Sequence, residues 1–212
     1  FASSESDSKI ETVGNPERNA ISGVAEPSVR YDVNDSSPLK LLVVGGSLGA
    51  QVLNETLPKA LALLDSPFEV RHQCGRDNET ATQAAYDSEA LSAHQFTVQP
   101  FIDDMAAAYN WADIVVCRAG ALTVTEIQNV GIAAIFVPLP SAVDDHQTAN
   151  ARTLTEHQAG ILLPQSELTP NKLSNELNML DRRACLEMAE KGHALANRQA
   201  CQRVADIIWQ AL

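Results

Sequence analysis

At 212 residues the chain is long enough to bury one substantial core or two small ones, and 45% apolar with 20% charged residues is an ordinary globular composition. A formal net charge of −12 argues against nucleic acid and anionic lipid as partners of this surface, since both need clustered Lys and Arg. No apolar run approaches the roughly 18 residues of a membrane span and no signal peptide is expected; Cys74, Cys117, Cys185 and Cys201 lack Cys-x-x-Cys spacing, which favours buried thiols in a reduced cytosolic compartment over disulfides or zinc.

Residues 1–9 are rich in Ser and Asp, have no periodicity and read as a linker or loose end. The chain opens at Phe1 in mid-stretch and is expected to be a piece of something longer. Residues 10–13 suggest a short strand stopped by the turn signal Gly14-Asn15-Pro16, and residues 22–38 a polar connector. The expected organisation is therefore an N-terminal segment or interdomain linker over 1–38 and one folded domain over 39–212.

From Leu39 the pattern changes. Residues 39–44 predict a buried strand ending at Gly45-Gly46-Ser47-Leu48-Gly49, then a helix with Leu53, Leu57, Leu61 and Leu64 on one face and a kink at Pro58. Residues 68–72 alternate as a second strand closed by Cys74-Gly75, and 78–93 read as a helix. A third strand over 96–98 runs through Pro100 into Phe101-Ile102, and Asp103 reads as the N-cap of a helix over 105–111. Residues 114–116 form a fourth strand that turns through Arg118-Ala119-Gly120 into a helix with Leu122, Ile127 and Val130 on one side. A fifth strand over 133–137, a helix over 144–157 and a short sixth strand over 160–163 follow. Thr169-Pro170, an N-cap with proline at N1, opens a strandless region of two or three helices. Six alternations of strand and helix with short crossovers predict an α/β fold, a Rossmann-like doubly wound parallel sheet that takes ligands at the carboxyl ends of its strands.

Two turns at that edge carry chemistry. A helix starting after Gly120 aims unpaired N–H groups and its positive dipole end into a crevice, a site for phosphate or diphosphate. Glu126, one turn past Leu122, then suits ribose hydroxyls better than phosphate. The Gly45-to-Ala50 turn lets a ligand approach the backbone, and Ser47 adds a hydroxyl, but the turn matches neither Gly-x-Gly-x-x-Gly nor a P-loop. Asp144-Asp145-His146-Gln147 is either an acidic first turn or a site where Gln147 grips sugar hydroxyls, and spacing does not choose between them. His72, His94, His157 and His193 stand singly, and no Asp-x-Asp occurs, so no metal is indicated. Arg18, taken alone, reads as a solvated surface arginine.

Taken together these segments strongly resemble the MurG family of peptidoglycan glycosyltransferases, which add N-acetylglucosamine to the lipid-linked muramyl-pentapeptide, lipid I. The resemblance runs from about Val13 to the C-terminus through Val13-Gly14-Asn15-Pro16-Glu17-Arg18, Val43 to Ala50, His72-Gln73-Cys74-Gly75, Phe101 to Met105, Gly120 to Glu126, and Asp144 to Ala151. It implies one half of a GT-B glycosyltransferase, the donor-binding Rossmann-like domain. In that frame Arg18 and the backbone of Ile102 hold uracil. Ser47 and the N–H groups of Ala121 and Leu122 hold the diphosphate, with Thr123, Val124 and Thr125 completing the turn. Glu126 binds the ribose and Gln147 the N-acetylglucosamine. The resemblance implies UDP-N-acetylglucosamine as donor substrate, no metal or cofactor, and no catalytic residue within this chain. It implies an inverting transfer whose base, acceptor site for lipid I and membrane contact belong to an N-terminal domain on the cytoplasmic face of the inner membrane. The chain alone is thus expected to bind donor without turnover. His146 stands where some members carry a second glutamine, which leaves one sugar contact unassigned. A nicotinamide-dependent dehydrogenase is disfavoured by the imperfect glycine pattern and by His72-Gln73 where an acidic residue is required. A non-catalytic UDP-sugar subunit with a separate partner, and a GT-B transferase using another UDP-sugar, remain open alternatives.

Overall fold

The computed structural model describes residues 13–15, 19–140, 145–198 and 200–210. The described residues run α1 (Asn19–Ser22), α2 (Pro27–Arg30), β1 (Leu39–Val44), α3 (Gln51–Leu61), β2 (Phe68–Gln73), α4 (Glu79–Asp87), β3 (Gln95–Gln99), α5 (Met105–Trp111), β4 (Ile114–Cys117), α6 (Ala121–Val130), β5 (Ala133–Phe136), α7 (His146–Thr155), β6 (Ile161–Leu162), a 3-10 turn at Gln165–Glu167, α8 (Pro170–Asn178), α9 (Arg182–Ala194) and α10 (Ala200–Gln210). The strands form one parallel sheet in the order β3-β2-β1-β4-β5-β6. This is the expected doubly wound fold, with its switch point between β1 and β4, where the order reverses.

Alternation along the strands builds a core on each side. Leu41, Val43, Val70, Ile114, Val116 and Ile135 pack under α3, α4, α8 and α9; Leu42, Val115, Cys117, Ala134 and Phe136 pack under α1, α5, α6 and α7. A strand buried on both faces shows a continuous apolar run rather than alternation, as Ile114 to Cys117 and Ala133 to Phe136 do.

Several expected elements are corrected. Residues 22–38 are not a plain connector. Arg30 donates to the carbonyls of Ala25 (2.9 Å), Tyr109 (3.1 Å), Val130 (3.2 Å) and Gly131, closing the C-terminal ends of α5 and α6. The buried Tyr31 hydroxyl donates to Asp113 O (2.6 Å) and accepts from Ala133 N (3.2 Å). α3 continues through Pro58 and ends at Leu61, leaving Leu64 in the following turn. α4 ends at Asp87, not near residue 93, because the Ser88 hydroxyl bonds back to Ala85 O (2.8 Å) and the chain turns to bury Leu91. β3 stops at Gln99, since Pro100 has no N–H to extend a ladder. The cap of α5 is Asp104 rather than Asp103: its carboxylate accepts from Ala107 N at 2.9 Å. The buried side of α6 is made by Val124, Ile127 and Val130, whereas Leu122 is 63% exposed. α7 begins at His146. The strand expected over 10–13 falls largely outside the described residues, as do Asp144 and Arg18.

Beneath the β1–α3 turn lies a buried polar chain. The Tyr86 hydroxyl donates to His72 Nδ1 (2.9 Å), His72 Nε2–H donates to Asn54 Oδ1 (3.0 Å), and Asn54 Nδ2 donates to Cys74 O (3.0 Å). Burial pushes the His72 imidazole down to about 3, so it is neutral in the folded state while an unfolded-chain histidine titrates near its ordinary value. A histidine whose pKa is depressed by folding loses stability for the native state as pH falls through the unfolded value. From that shift, stability is expected to drop by about 1 kcal/mol between pH 7 and pH 5.7 on account of this group. Urea unfolding of the chain and of His72→Gln at both pH values gives that difference, and an identical pH dependence in the two would clear His72 of the role.

Candidate functional site

Three segments meet at the carboxyl edge around the switch point. The first is the β1–α3 turn. Gly49 has φ +76° and its missing Cβ would strike the Cys74 carbonyl, so only glycine lets this turn close against the end of β2. Gly46, at φ +86° with open space around it, leaves the backbone beside Ser47 accessible. The second is the start of α6. Gly120 makes no side-chain cap, and the first helical bond is Val124 N–H to Gly120 O (2.9 Å), so the N–H groups of Ala121, Leu122 and Thr123 have no partner within the helix. α3, which follows β1, likewise starts at Ala50 without a side-chain cap, whereas α5, α8 and α9 are capped by Asp104, Thr169 and Asp181. α2, α4 and α7 also start without a side-chain cap; what sets α3 and α6 apart is that they follow β1 and β4, the strands flanking the switch point. The third segment is the run from Pro100 to Met105, which carries Ile102.

Together they wall a crevice of about 190 Å³ lined by Val44, Gly46, Ser47, Gln73, Phe101, Ile102, Met105, Tyr109, Thr123 and Glu126. Of the residues expected from sequence, Ser47, Ile102, Thr123 and Glu126 come together here. The Glu126 carboxylate is held by the Tyr109 hydroxyl, which donates to Oε2 at 3.2 Å. Leu122 is exposed and Val124 is buried in the core, and neither side chain lines the crevice, so these two offer backbone rather than side chain. Ala121 and Thr125 line a neighbouring cleft with Gly14, Asn15, Asn150 and Asn197. The Thr125 hydroxyl donates to Ala121 O (3.0 Å) and accepts from Asn15 Nδ2 (3.0 Å), which braces the first turn of α6. The Gln147 carbonyl accepts from Ala119 N (3.1 Å) and Leu139 N (2.9 Å), stapling the β4–α6 turn to the segment after β5. That leaves its carboxamide nitrogen as the end able to meet a ligand. Arg118, at the same turn, donates to Val137 O (3.0 Å) and Pro138 O (3.2 Å).

A larger groove, about 420 Å³, lies at the opposite edge beside the starts of β1 and β2. Its buried cation, Arg182, is committed to the carbonyls of Asp35, Ser37 and Pro38. Size is a poor guide here: the turn bearing Ser47 and the first turn of α6, through Thr123, meet at the smaller crevice beside the switch point. Among the described residues no group of three or more His, Cys, Asp or Glu side chains is arranged to hold a metal ion. Gln73 and Tyr109 were not singled out as site residues from the sequence. The signal for Gln73 is its place in His72-Gln73-Cys74-Gly75 at a strand end; Tyr109 shows no local signal, since it reaches Glu126 only across packed helices.

Comparison with known proteins gives the family of the chain. A family profile described as "Glycosyltransferase family 28 C-terminal domain" matches residues 40–208. The chain is 83% identical, over all 212 residues, to the UDP-N-acetylglucosamine–N-acetylmuramyl-(pentapeptide) pyrophosphoryl-undecaprenol N-acetylglucosamine transferase of Psychrobacter arcticus, covering 59% of that protein. It is 52% identical to the protein of the same name from Aeromonas hydrophila, over 92% of this chain and 53% of that one. The crystal structure of Acinetobacter baumannii MurG superposes with a TM-score of 0.85 at 46% identity, covering 90% of this chain and 55% of that chain. A glycotransferase of kitacinnamycin, 20% identical with a TM-score of 0.60 over 84% of this chain and 45% of that one, shares the fold. The chain thus spans little more than half the length of the curated relatives it matches.

Proposed function

Because the chain belongs to the glycosyltransferase family 28 C-terminal domain family, we propose that it is the donor-binding half of a GT-B enzyme moving N-acetylglucosamine from UDP-N-acetylglucosamine to lipid I, giving lipid II for peptidoglycan. The observation that carries this reading is the crevice at the switch point, where the open start of α6, the Ser47 turn and the Glu126 carboxylate face one another. The diphosphate lies against the N–H groups of Ala121 and Leu122 and the Ser47 hydroxyl, with Thr123 at the same turn. Val124 and Thr125 hold that turn in shape, one by burial and one by its bond to Ala121 O. Glu126, oriented by Tyr109, accepts from the ribose hydroxyls. The Ile102 backbone and Arg18 take the uracil, and the Gln147 carboxamide nitrogen takes the sugar.

Chemically, this half provides a place for departing charge. As the acceptor hydroxyl attacks the anomeric carbon, negative charge grows on the UDP oxygen, and the helix end already points N–H donors at it. These groups meet the charge without calling on a metal or cofactor. The base that takes the acceptor proton, the lipid I site and the contact with the cytoplasmic membrane face belong to the length of the relatives that this chain does not span. Among the described residues no helix is long and apolar enough to cross a membrane.

Calorimetric titration with UDP-N-acetylglucosamine, UDP-glucose and NADH tests the reading. UDP-N-acetylglucosamine is expected to bind most tightly, and Glu126→Ala to weaken it by five- to tenfold, about 1 kcal/mol for a charge-assisted bond at a half-open site. NADH binding at the same strength, or no change on substitution, would sink the assignment.

A further inference from the structure

Gln73 ends β2, the strand that lies between β1 and β3, and it is 3% exposed. The ladder is complete at this point: Gln73 O accepts from Gly45 N (3.4 Å), and Cys74 N donates to Gln99 O (3.0 Å). Beyond it the three backbones part, and the Gln73 side chain spans the gap. Its Nε2 donates to Gly46 O at 2.9 Å on one side and to Pro100 O at 3.0 Å on the other. Gly46 precedes Ser47, and Pro100 stands two residues before Ile102. Both donors of one carboxamide therefore tie the turn bearing Ser47 to the segment bearing Ile102. The remaining acceptor, Oε1, is buried without a hydrogen-bond partner among the described residues, and Gln73 lines the crevice between those two segments. A residue that served only the sheet would gain nothing from leaving a buried acceptor unpaired, which carries a desolvation cost.

We propose that Gln73 is a positioning residue for the nucleotide: it sets the distance between the diphosphate turn at Ser47 and the uracil-holding backbone at Ile102. The proposal rests on reading the crevice as a UDP site. A ligand touching both segments depends on their separation, whereas one touching the diphosphate turn and the α6 start alone does not. The probes are therefore UDP and inorganic pyrophosphate, followed by amide NMR shifts of Ala121 and Leu122 in the wild-type chain and in Gln73→Met, which keeps the volume and removes both donors.

Gln73→Met is expected to weaken UDP about tenfold and pyrophosphate by less than twofold. Gln73→Glu places a carboxylate against two carbonyls at pH 8 and is expected to weaken UDP at least as much. At pH 5.5, with the carboxyl partly protonated and able to donate again, part of its gap to wild type should close. Should Gln73→Met fail to fold by circular dichroism, this pH recovery carries the test. Equal UDP affinity in wild type and both folded variants overturns the proposal, as does parallel loss of UDP and pyrophosphate, the mark of a merely structural role. A folded wild-type chain that shows no UDP-dependent shifts overturns instead the crevice reading on which the proposal stands.

Discussion

Replacing Arg182 by methionine is expected to lower the free energy of unfolding by about 3–5 kcal/mol, the range for removing one partner of a buried, hydrogen-bonded charge. The side chain is 9% exposed. Its guanidinium donates to Asp35 O (2.6 Å), Ser37 O (2.8 Å), Ser37 Oγ (3.0 Å) and Pro38 O (3.1 Å), so one residue of α9 pins the backbone leading into β1. It also stands 3.5 Å from the Asp113 carboxylate, which caps β1 by accepting from Lys40 N at 2.8 Å. Burial already raises the Asp113 carboxyl, and the Lys40 N–H and Arg182 oppose that push. Methionine keeps the stem's packing but leaves three carbonyls and this carboxylate facing an apolar chain. The ion pair with the partly exposed Asp35 adds little by comparison. Urea unfolding at pH 7 measures the effect. An unfolding free energy within about 0.5 kcal/mol of wild type would mean that water from the adjacent groove replaces the guanidinium.

Arg182 also shows where local pattern stops being informative. In Asp181-Arg182-Arg183 both arginines look like helix surface, yet only the first turns inward, toward a segment some 145 residues earlier. Residues 22–38 misled for the same reason: α1 and α2 are four residues each, and the cations and hydroxyls that hold them, Arg30 and Tyr31, find partners across the fold. The sheet was legible because strands buried on both faces must be apolar without interruption. The two glycine turns at the carboxyl edge of the sheet were legible because glycine at a strand end with no capping side chain is a local signal. Leu122 does not join the buried side because spacing gives a face but not its direction, and the first turn of α6 lies at the exposed end of that face. The links joining site segments, Gln73 to Gly46 and Pro100, and Tyr109 to Glu126, depend on strand order and helix packing, which no single segment encodes.

The open start of α6 makes the sharpest test of the site. Ala121→Pro is expected to weaken UDP and UDP-N-acetylglucosamine by ten- to a hundredfold while leaving the thermal midpoint within a few degrees of wild type. The substitution removes one backbone N–H, and a bond from such a group to a charged oxygen is worth about 1.5–3 kcal/mol. The fold should tolerate it for three reasons. Position 121 is the first residue of the helix, where proline's fixed φ fits and its N–H has no helical partner to lose. Gly120, at φ −62° and ψ 147°, already has the extended conformation that a residue before proline prefers. The Ala121 side chain is exposed, so the ring displaces nothing in the core. Thr125 still finds the Ala121 carbonyl, which proline retains. A large loss of affinity at constant stability would tie the diphosphate to this N–H. Unchanged affinity in a folded Ala121→Pro chain would move the diphosphate away from α6, toward the Ser47 turn and the equally uncapped start of α3.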